Sequence, residues 1–168
     1  TGSFNLINKS RVYINIGRVI VDAEDISIED SEVLSRNVWA SAEGWVGRIK
    51  LNARNDIILS NAKINSETIS SGTRAEILLI GNNLEANNAE VRIYDERKGK
   101  EGQIQLNFEE SIKMDNSQVL SVGSSHLAPD TNGNKITIKS NNLNMKDSLI
   151  TGMVEGDGKR GVTELDIS

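Results

Sequence analysis

Asp130-Thr-Asn132-Gly-Asn134 places three oxygen-bearing side chains at alternate positions, which is how a calcium-binding loop opens. Carboxylate and amide oxygens at that spacing can converge on a hard cation. The match breaks at the sixth position, where Lys135 replaces glycine, and at the twelfth, where Asn141 replaces the bidentate glutamate. A turn-rich loop without metal explains the same residues. Calcium is therefore the one cofactor the sequence raises, and none is expected to be required. Trp39 and Trp45 share one connecting segment and Tyr94 lies in another. Such aromatic faces stack on sugar rings, which makes the three candidate carbohydrate contacts. They can equally fold back as apolar plugs, since a large exposed aromatic without a role is disfavoured. His126 is the only histidine, and no Ser-His-Asp arrangement can be drawn around it.

Cleavage of a polysaccharide needs clustered carboxylates, or calcium beside a basic Lys or Arg. The carboxylates here do not cluster. They are spread along an eight-residue unit that recurs five times without a gap: Ile26 to Val33, Ile57 to Ile64, Leu84 to Val91, Ile112 to Val119 and Leu143 to Ile150. Each copy reads apolar, x, apolar, x, Asn/Asp, Ala/Ser, x, Val/Ile. The starts lie 31, 27, 28 and 31 residues apart, a period that signals a stacked repeat architecture. The positions expected to face outward in the first three copies, Ser27, Glu29, Ile58, Ser60, Glu85 and Asn87, stack no two carboxylates. The chain is expected not to be an enzyme, with a polysaccharide lyase or hydrolase as the rival.

A second block precedes each copy: Val19-x-Val21, Ile49-x-Leu51, Ile77-x-Leu79, Ile104-x-Leu106 and Ile136-x-Ile138. A bend marked by Ala23, Ala53, Gly81, Phe108 or Ser140 separates the two blocks. Strict alternation is the mark of half-buried strands, and no helical spacing is present. The Asn/Asp-Ala/Ser pair turns the chain, because Asn and Asp tolerate left-handed backbone angles. Three strands and two bends per repeat predict an all-β, right-handed parallel β-helix. About five complete coils are expected, with partial coils at both ends. Asp30, Asn61, Asn88, Asn116 and Asp147 are then expected to form a turn ladder in which stacked amides bond to their neighbours. Glu32, Lys63 and Glu90 fall in one outward column, and Glu85 and Lys113 in another, so opposite charges meet.

Residues 1–16 are read as an N-terminal partial coil or cap and 17–168 as the β-helix. Variable loops are expected at 34–46, 65–74, 92–101, 120–133 and 151–160, all on one face. Leu165-x-Ile167 opens a further coil. Phe4-x-Leu6 and Ser10-x-Val12 resemble the second half of one.

The 168 residues suffice for one domain. An aromatic content of 4% suits a narrow core of Ile, Val and Leu. Cysteine is absent, which removes disulfides and thiolate metal sites. The net charge of −5 with mixed signs and no basic stripe argues against nucleic-acid binding. No apolar run approaches membrane-spanning length. The sequence starts at Thr1 without a signal peptide, so the chain is expected to be processed or to come from something longer.

The phrases Gly47-Arg-Ile-Lys-Leu-Asn-Ala53, Leu59-Ser-Asn-Ala-Lys-Ile64 and Gly102-Gln-Ile-Gln-Leu106 resemble repeats of filamentous-haemagglutinin-like exoproteins. The resemblance spans residues 17–168 and does not include that family's N-terminal secretion domain. It implies an extracellular, cell-surface, non-catalytic shaft of an adhesin exported by two-partner secretion. A glycan or protein on a host or neighbouring cell would be its partner. The half-coils at the two ends add an alternative: a subunit that stacks head to tail into an extracellular filament or sheath, a homopolymer.

Overall fold

The computed structural model describes residues 2–37, 47–69, 75–95, 102–123, 134–154 and 161–168. Two strands, β1 (Phe4–Leu6) and β2 (Arg11–Asn15), precede the first repeat. The first repeat holds β3 (Arg18–Ala23), β4 (Ile26–Glu29) and β5 (Glu32–Asn37), and the second holds β6 (Arg48–Ala53), β7 (Asp56–Ser60) and β8 (Lys63–Thr68). The third has β9 (Glu76–Asn87) and β10 (Glu90–Asp95), and the fourth β11 (Gln103–Asp115) and β12 (Gln118–Gly123). In the fifth lie β13 (Lys135–Ser140), β14 (Asn142–Lys146) and β15 (Leu149–Val154), and β16 (Val162–Ile167) follows. No helix occurs among the described residues, so none is long and apolar enough to cross a membrane.

Every strand pairs in parallel with its counterpart in the next repeat. β2, β5, β8, β10, β12 and β15 form a 6-stranded sheet. The first and second blocks form the other sheet, joined because β9 and β11 run through the bend unbroken. The repeat alignment read from sequence is the observed register: Ile26 pairs with Ile57, Ile57 with Leu84, Leu84 with Ile112 and Ile112 with Leu143. The fold is a parallel β-solenoid.

Alternation buries one side of each strand. Ile49, Leu51, Ile57, Leu59, Ile64, Ile77, Leu79, Ile104 and Leu106 have essentially no exposed surface. Each such side chain contributes about 1.5–3 kcal/mol of transfer free energy. Four repeats enclose an interior in this way. The fifth does so only along β13: Leu143 and Ile150 are half-buried and Met145 is 37% exposed. The closed stack therefore amounts to about four turns, one fewer than the five complete coils expected. A coil's inward side chains become fully buried only when another coil lies on each side.

The bend column shows how unequal residues share one place. Phe108 is buried and sits in register with Gly81, whose missing Cβ leaves room for the ring. A Cβ on Gly81 would lie 3.2 Å from Phe108 Cε1 and 2.9 Å from the carbonyl oxygen of Asn55. The register between β9 and β11 shifts just after this point, between Phe108 and Ser111, which absorbs the extra residue of the longer repeat.

Ile16 has φ 64°, the one β-branched residue in the left-handed region among those described. That conformation costs a β-branched side chain about 1–2 kcal/mol. Its N–H donates to the Arg36 carbonyl, which holds it there, and its side chain is 43% exposed. Replacing Ile16 by Asn should raise stability by about 1 kcal/mol, measured as a higher midpoint in denaturant. A lower midpoint would show that the Ile16 side chain contributes more packing than its exposure implies.

Candidate functional site

Polar side chains gather along two columns of the solenoid. The first is the Asn/Asp turn between the second and third strands. Asp30, Asn61, Asn88, Asn116 and Asp147 all sit at φ between 48° and 51°. Each of the first four donates its N–H to the next repeat: to Ser60, Asn87, Asp115 and Lys146 carbonyls at 2.9–3.0 Å. The side chains add a ladder in two segments. Asn61 Nδ2 donates to Asp30 Oδ1 at 2.9 Å, and Asn116 Nδ2 donates to Asn88 Oδ1.

The small residue that follows is buried at Ser31, Ala62, Ala89 and Ser117. Where it is serine, its hydroxyl oxygen accepts a main-chain N–H from the preceding repeat. Ser117 Oγ takes the Ala89 N–H and Ser148 Oγ takes the Ser117 N–H, both at 3.0 Å. Ser31 Oγ does the same for Ser10 at 3.1 Å. The choice of Ser at these positions thus satisfies donors that the corner would otherwise leave without partners.

The second column lies inside the solenoid, where the third strand ends. Ser35, Asn37, Ser66, Thr68, Asp95 and Ser121 are fully buried. Ser35 Oγ donates to the Gly17 carbonyl at 3.3 Å and Ser66 Oγ to the Gly47 carbonyl, so the third strand closes onto the start of the first. Asn134 Oδ1 accepts the Gly102 N–H at 2.8 Å. Buried Glu76 accepts from Gln103 Nε2 at 2.7 Å and lies within ion-pair distance of Arg48. Thr68 Oγ1, Ser121 Oγ and Asn134 Nδ2 have no hydrogen-bond partner among the described residues.

Sequence reading missed this interior column and assigned its residues to loops. The third strands extend to Asn37, Thr68, Asp95, Gly123 and Val154, and each takes in the first four residues of an expected loop. The reason is that their inward residues are polar. Ser35 and Asn37 continue the alternation of Val33, as Ser66 and Thr68 continue that of Ile64, but polar residues carry no apolar signal. The segments that remain all leave from one strand-end column, Asn37 to Thr68 to Asp95 to Gly123, which is in register.

Outward charges serve the stack. Lys113 Nζ reaches Glu85 at 3.1 Å, as the column alignment predicts. The hydrogen bond from Lys113, then that from Asn87, then the Lys113 charge hold the Glu85 carboxyl below the ordinary carboxylate range. A depressed carboxylate stabilises the fold above its unfolded pKa, and that share is lost as pH falls through the folded one. Glu85 is 45% exposed, so solvent screening keeps the share small. Lys63 is in register with Glu32 and Glu90 but makes no ion pair with either among the described residues. Glu32 pairs instead with Arg11 at 2.6 Å.

Two shallow surface clefts follow from these columns. One, of about 290 Å³, lies over the turn ladder between Lys9, Arg11, Asp30, Glu32, Asn61 and Lys63. The other, of about 270 Å³, lies over the second strands beside Asp56, Ile58, Asn83, Glu85, Ser111 and Lys113. In the latter Ser111 donates to Asn83 and Asn83 donates to Asp56, at 2.6 and 3.0 Å. These groups are occupied with one another across adjacent repeats.

The sequence-predicted contacts fare unequally. Tyr94 faces outward on β10, in register with Glu67 and Val122, and the Arg92 guanidinium lies 5.5 Å from its ring centre. Trp39 and Trp45, its expected companions, lie outside the described residues, as does His126. Of the calcium candidate, Asp130 and Asn132 lie outside the described residues, while Asn134 is 1% exposed with its oxygen committed to Gly102. No group of three or more His, Asp or Glu side chains that could hold a metal occurs among the described residues.

Fold and columns together define a parallel β-solenoid whose polar side chains are organised by the repeat. No family model, no curated protein and no solved structure matches the chain.

Proposed function

We propose that this protein is a non-catalytic scaffold, a length of shaft from an extracellular surface adhesin of the filamentous-haemagglutinin-like kind. One observation carries the scaffold reading: polar side chains bond from repeat to repeat, as in Asn61 to Asp30, Asn116 to Asn88, Asn83 to Asp56 and Lys113 to Glu85. Groups spent on the neighbouring coil build length and stiffness. A catalytic site would instead hold carboxylates in reserve for a substrate. The adhesin and cell-surface parts rest on the resemblance of Gly47–Ala53, Leu59–Ile64 and Gly102–Leu106 to that family's repeats.

A panel of acidic polysaccharides incubated with the protein, assayed for new reducing ends and unsaturated products, tests the reading. No turnover is expected, and turnover would replace the scaffold with a polysaccharide-cleaving enzyme. A glycan array then separates a sugar-binding shaft from a spacer. Loss of any array signal in Trp39→Ala and Trp45→Ala, with Tyr94→Ala alongside, would assign the contact.

A further inference from the structure

The cleft over the second strands of the three middle repeats holds side chains that are fixed in place without being used up. Asn83 Nδ2 donates to Asp56 Oδ1 at 3.0 Å and to Glu110 Oε2 at 3.3 Å, while Asn83 Oδ1 accepts from Ser111 at 2.6 Å. One amide thus orients two carboxylates, one from the repeat before its own and one from the repeat after. Glu110 belongs to the irregularity between Phe108 and Ser111, where the fourth repeat carries its extra residue. Irregularities of this kind re-aim a side chain. Beside this group Lys113 Nζ lies 3.1 Å from Glu85. Ile58 is in register with Glu85 and 43% exposed. It is the one apolar residue facing outward on the second strands of these three repeats. We infer that this cleft binds one ring of a neutral glycan, with Ile58 beneath the ring and the carboxylates of Asp56, Glu85 and Glu110 accepting its hydroxyls.

The hydrogen-bond inventory selects the ligand. An ionised carboxylate offers about four acceptor positions and no donor. Asp56 and Glu110 each give one of theirs to Asn83, and Glu85 accepts from Lys113. Lys113 keeps two of its three N–H donors. The cleft is therefore rich in acceptors and poor in donors, and its complement is a molecule with several hydroxyls. Hydroxyl donors to an ionised acceptor form bonds roughly twice as strong as neutral pairs. The bonds between repeats hold the acceptors in position beforehand, which lowers the ordering cost of binding. Three carboxylates against one ammonium repel an acidic sugar. A bare metal ion is disfavoured too, since no group of three or more His, Asp or Glu side chains able to hold one occurs among the described residues. Exposed Ile58 suits the C–H face of a sugar ring and gives nothing to a cation. At about 270 Å³ the cleft is smaller than the ~300–1,000 Å³ of pockets that enclose drug-sized ligands, so it takes a single ring of a longer chain.

This rests on the reading of the protein as a shaft that meets a glycan, and deepens it by placing the contact and naming the sugar class. The 168-residue chain, labelled at its isoleucine methyl groups, is titrated with neutral tetrasaccharides of glucose, mannose, galactose and xylose. Tetragalacturonate and a glucosamine tetramer serve as charged comparators. At least one neutral sugar should shift the Ile58 methyl signal and saturate with a Kd of about 1 mM or tighter. No Ile58 shift with any neutral tetrasaccharide at ~10 mM overturns the proposal, as does a stronger response to either charged comparator. By calorimetry, Asp56→Asn, Glu110→Gln and Ile58→Ser should each weaken binding about tenfold or more, a change of about 1.4 kcal/mol. The first two keep an acceptor for Asn83, so their denaturant midpoints should stay at the wild-type value. Lys63→Ala, over the other cleft, should bind as wild type does. Binding unchanged in all three cleft variants would overturn the site. Should a variant fail to fold, the Ile58 signal of the wild-type chain still decides. Neither shift nor turnover of these sugars would overturn the site and leave the scaffold. An Ile58 shift with turnover that Asp56→Asn abolishes would keep the site and overturn the scaffold.

Discussion

Replacing Leu79 by alanine should destabilise the protein by about 3 kcal/mol, within the range of about 2–5 kcal/mol for buried Leu-to-Ala changes. Leu79 is fully buried on β9, between Leu51 of β6 and Leu106 of β11. Coils on both sides fix its surroundings, so the cavity cannot collapse without disturbing two ladders. The same change at Leu165 should cost under about 0.5 kcal/mol, because over half of that side chain already faces solvent. Both occupy the same inward position of the first strand, which makes the pair a controlled comparison. Denaturant midpoints measured at low protein concentration report the difference. Equal costs would mean that the C-terminal coil is covered in solution.

Asn61→Leu should cost about 2 kcal/mol, and Lys63→Leu within about 0.5 kcal/mol. Asn61 holds φ 49°, a conformation that leucine enters only at a steric cost of about 1 kcal/mol. Its Nδ2 also donates to Asp30, a bond worth about 1 kcal/mol net. Lys63, two residues on, is exposed and lacks an ion pair among the described residues. Thermal or denaturant unfolding of both variants checks the contrast, and indistinguishable midpoints would remove the ladder's energetic role. A companion variant, Asn61→Gly, should recover the conformational share and leave only the lost hydrogen bond.

The stacked architecture was legible because its determinants are local and repeated. Ile49-x-Leu51 and Ile57-x-Leu59 state a strand each, and the Asn/Asp before Ala/Ser states a left-handed turn that all five copies adopt. Repetition then supplied the pairing register, which a single strand's sequence cannot give. What the sequence concealed was polar and inward. Asn37, Thr68 and Asp95 look like loop residues because burial of a polar group depends on a partner elsewhere in space, such as the Gly47 carbonyl for Ser66. Ion pairing was half legible for a related reason. Register placed Lys63 beside two glutamates, but side-chain reach and the competing Arg11 decided which pairs formed. The turn ladder was foreseen as one column, and its side-chain bonds form two segments, Asp30–Asn61 and Asn88–Asn116.

Because each strand pairs only with the repeats immediately before and after it, folding of this chain is a zipper rather than a collapse. Closing one coil ties down about thirty residues before the first interstrand bond forms, so initiation is slow relative to extension. The third repeat, with Ile77, Leu79 and Ile93 all fully buried, is the natural starting point. From there growth runs both ways, and opening runs back from the ends by the same steps. Amide hydrogens of β6 to β12 should therefore exchange only on global opening, while those of β1, β2 and β14 to β16 exchange through fraying. Occupying either end with another coil would slow exchange there first, and the protection would pass inward one repeat at a time.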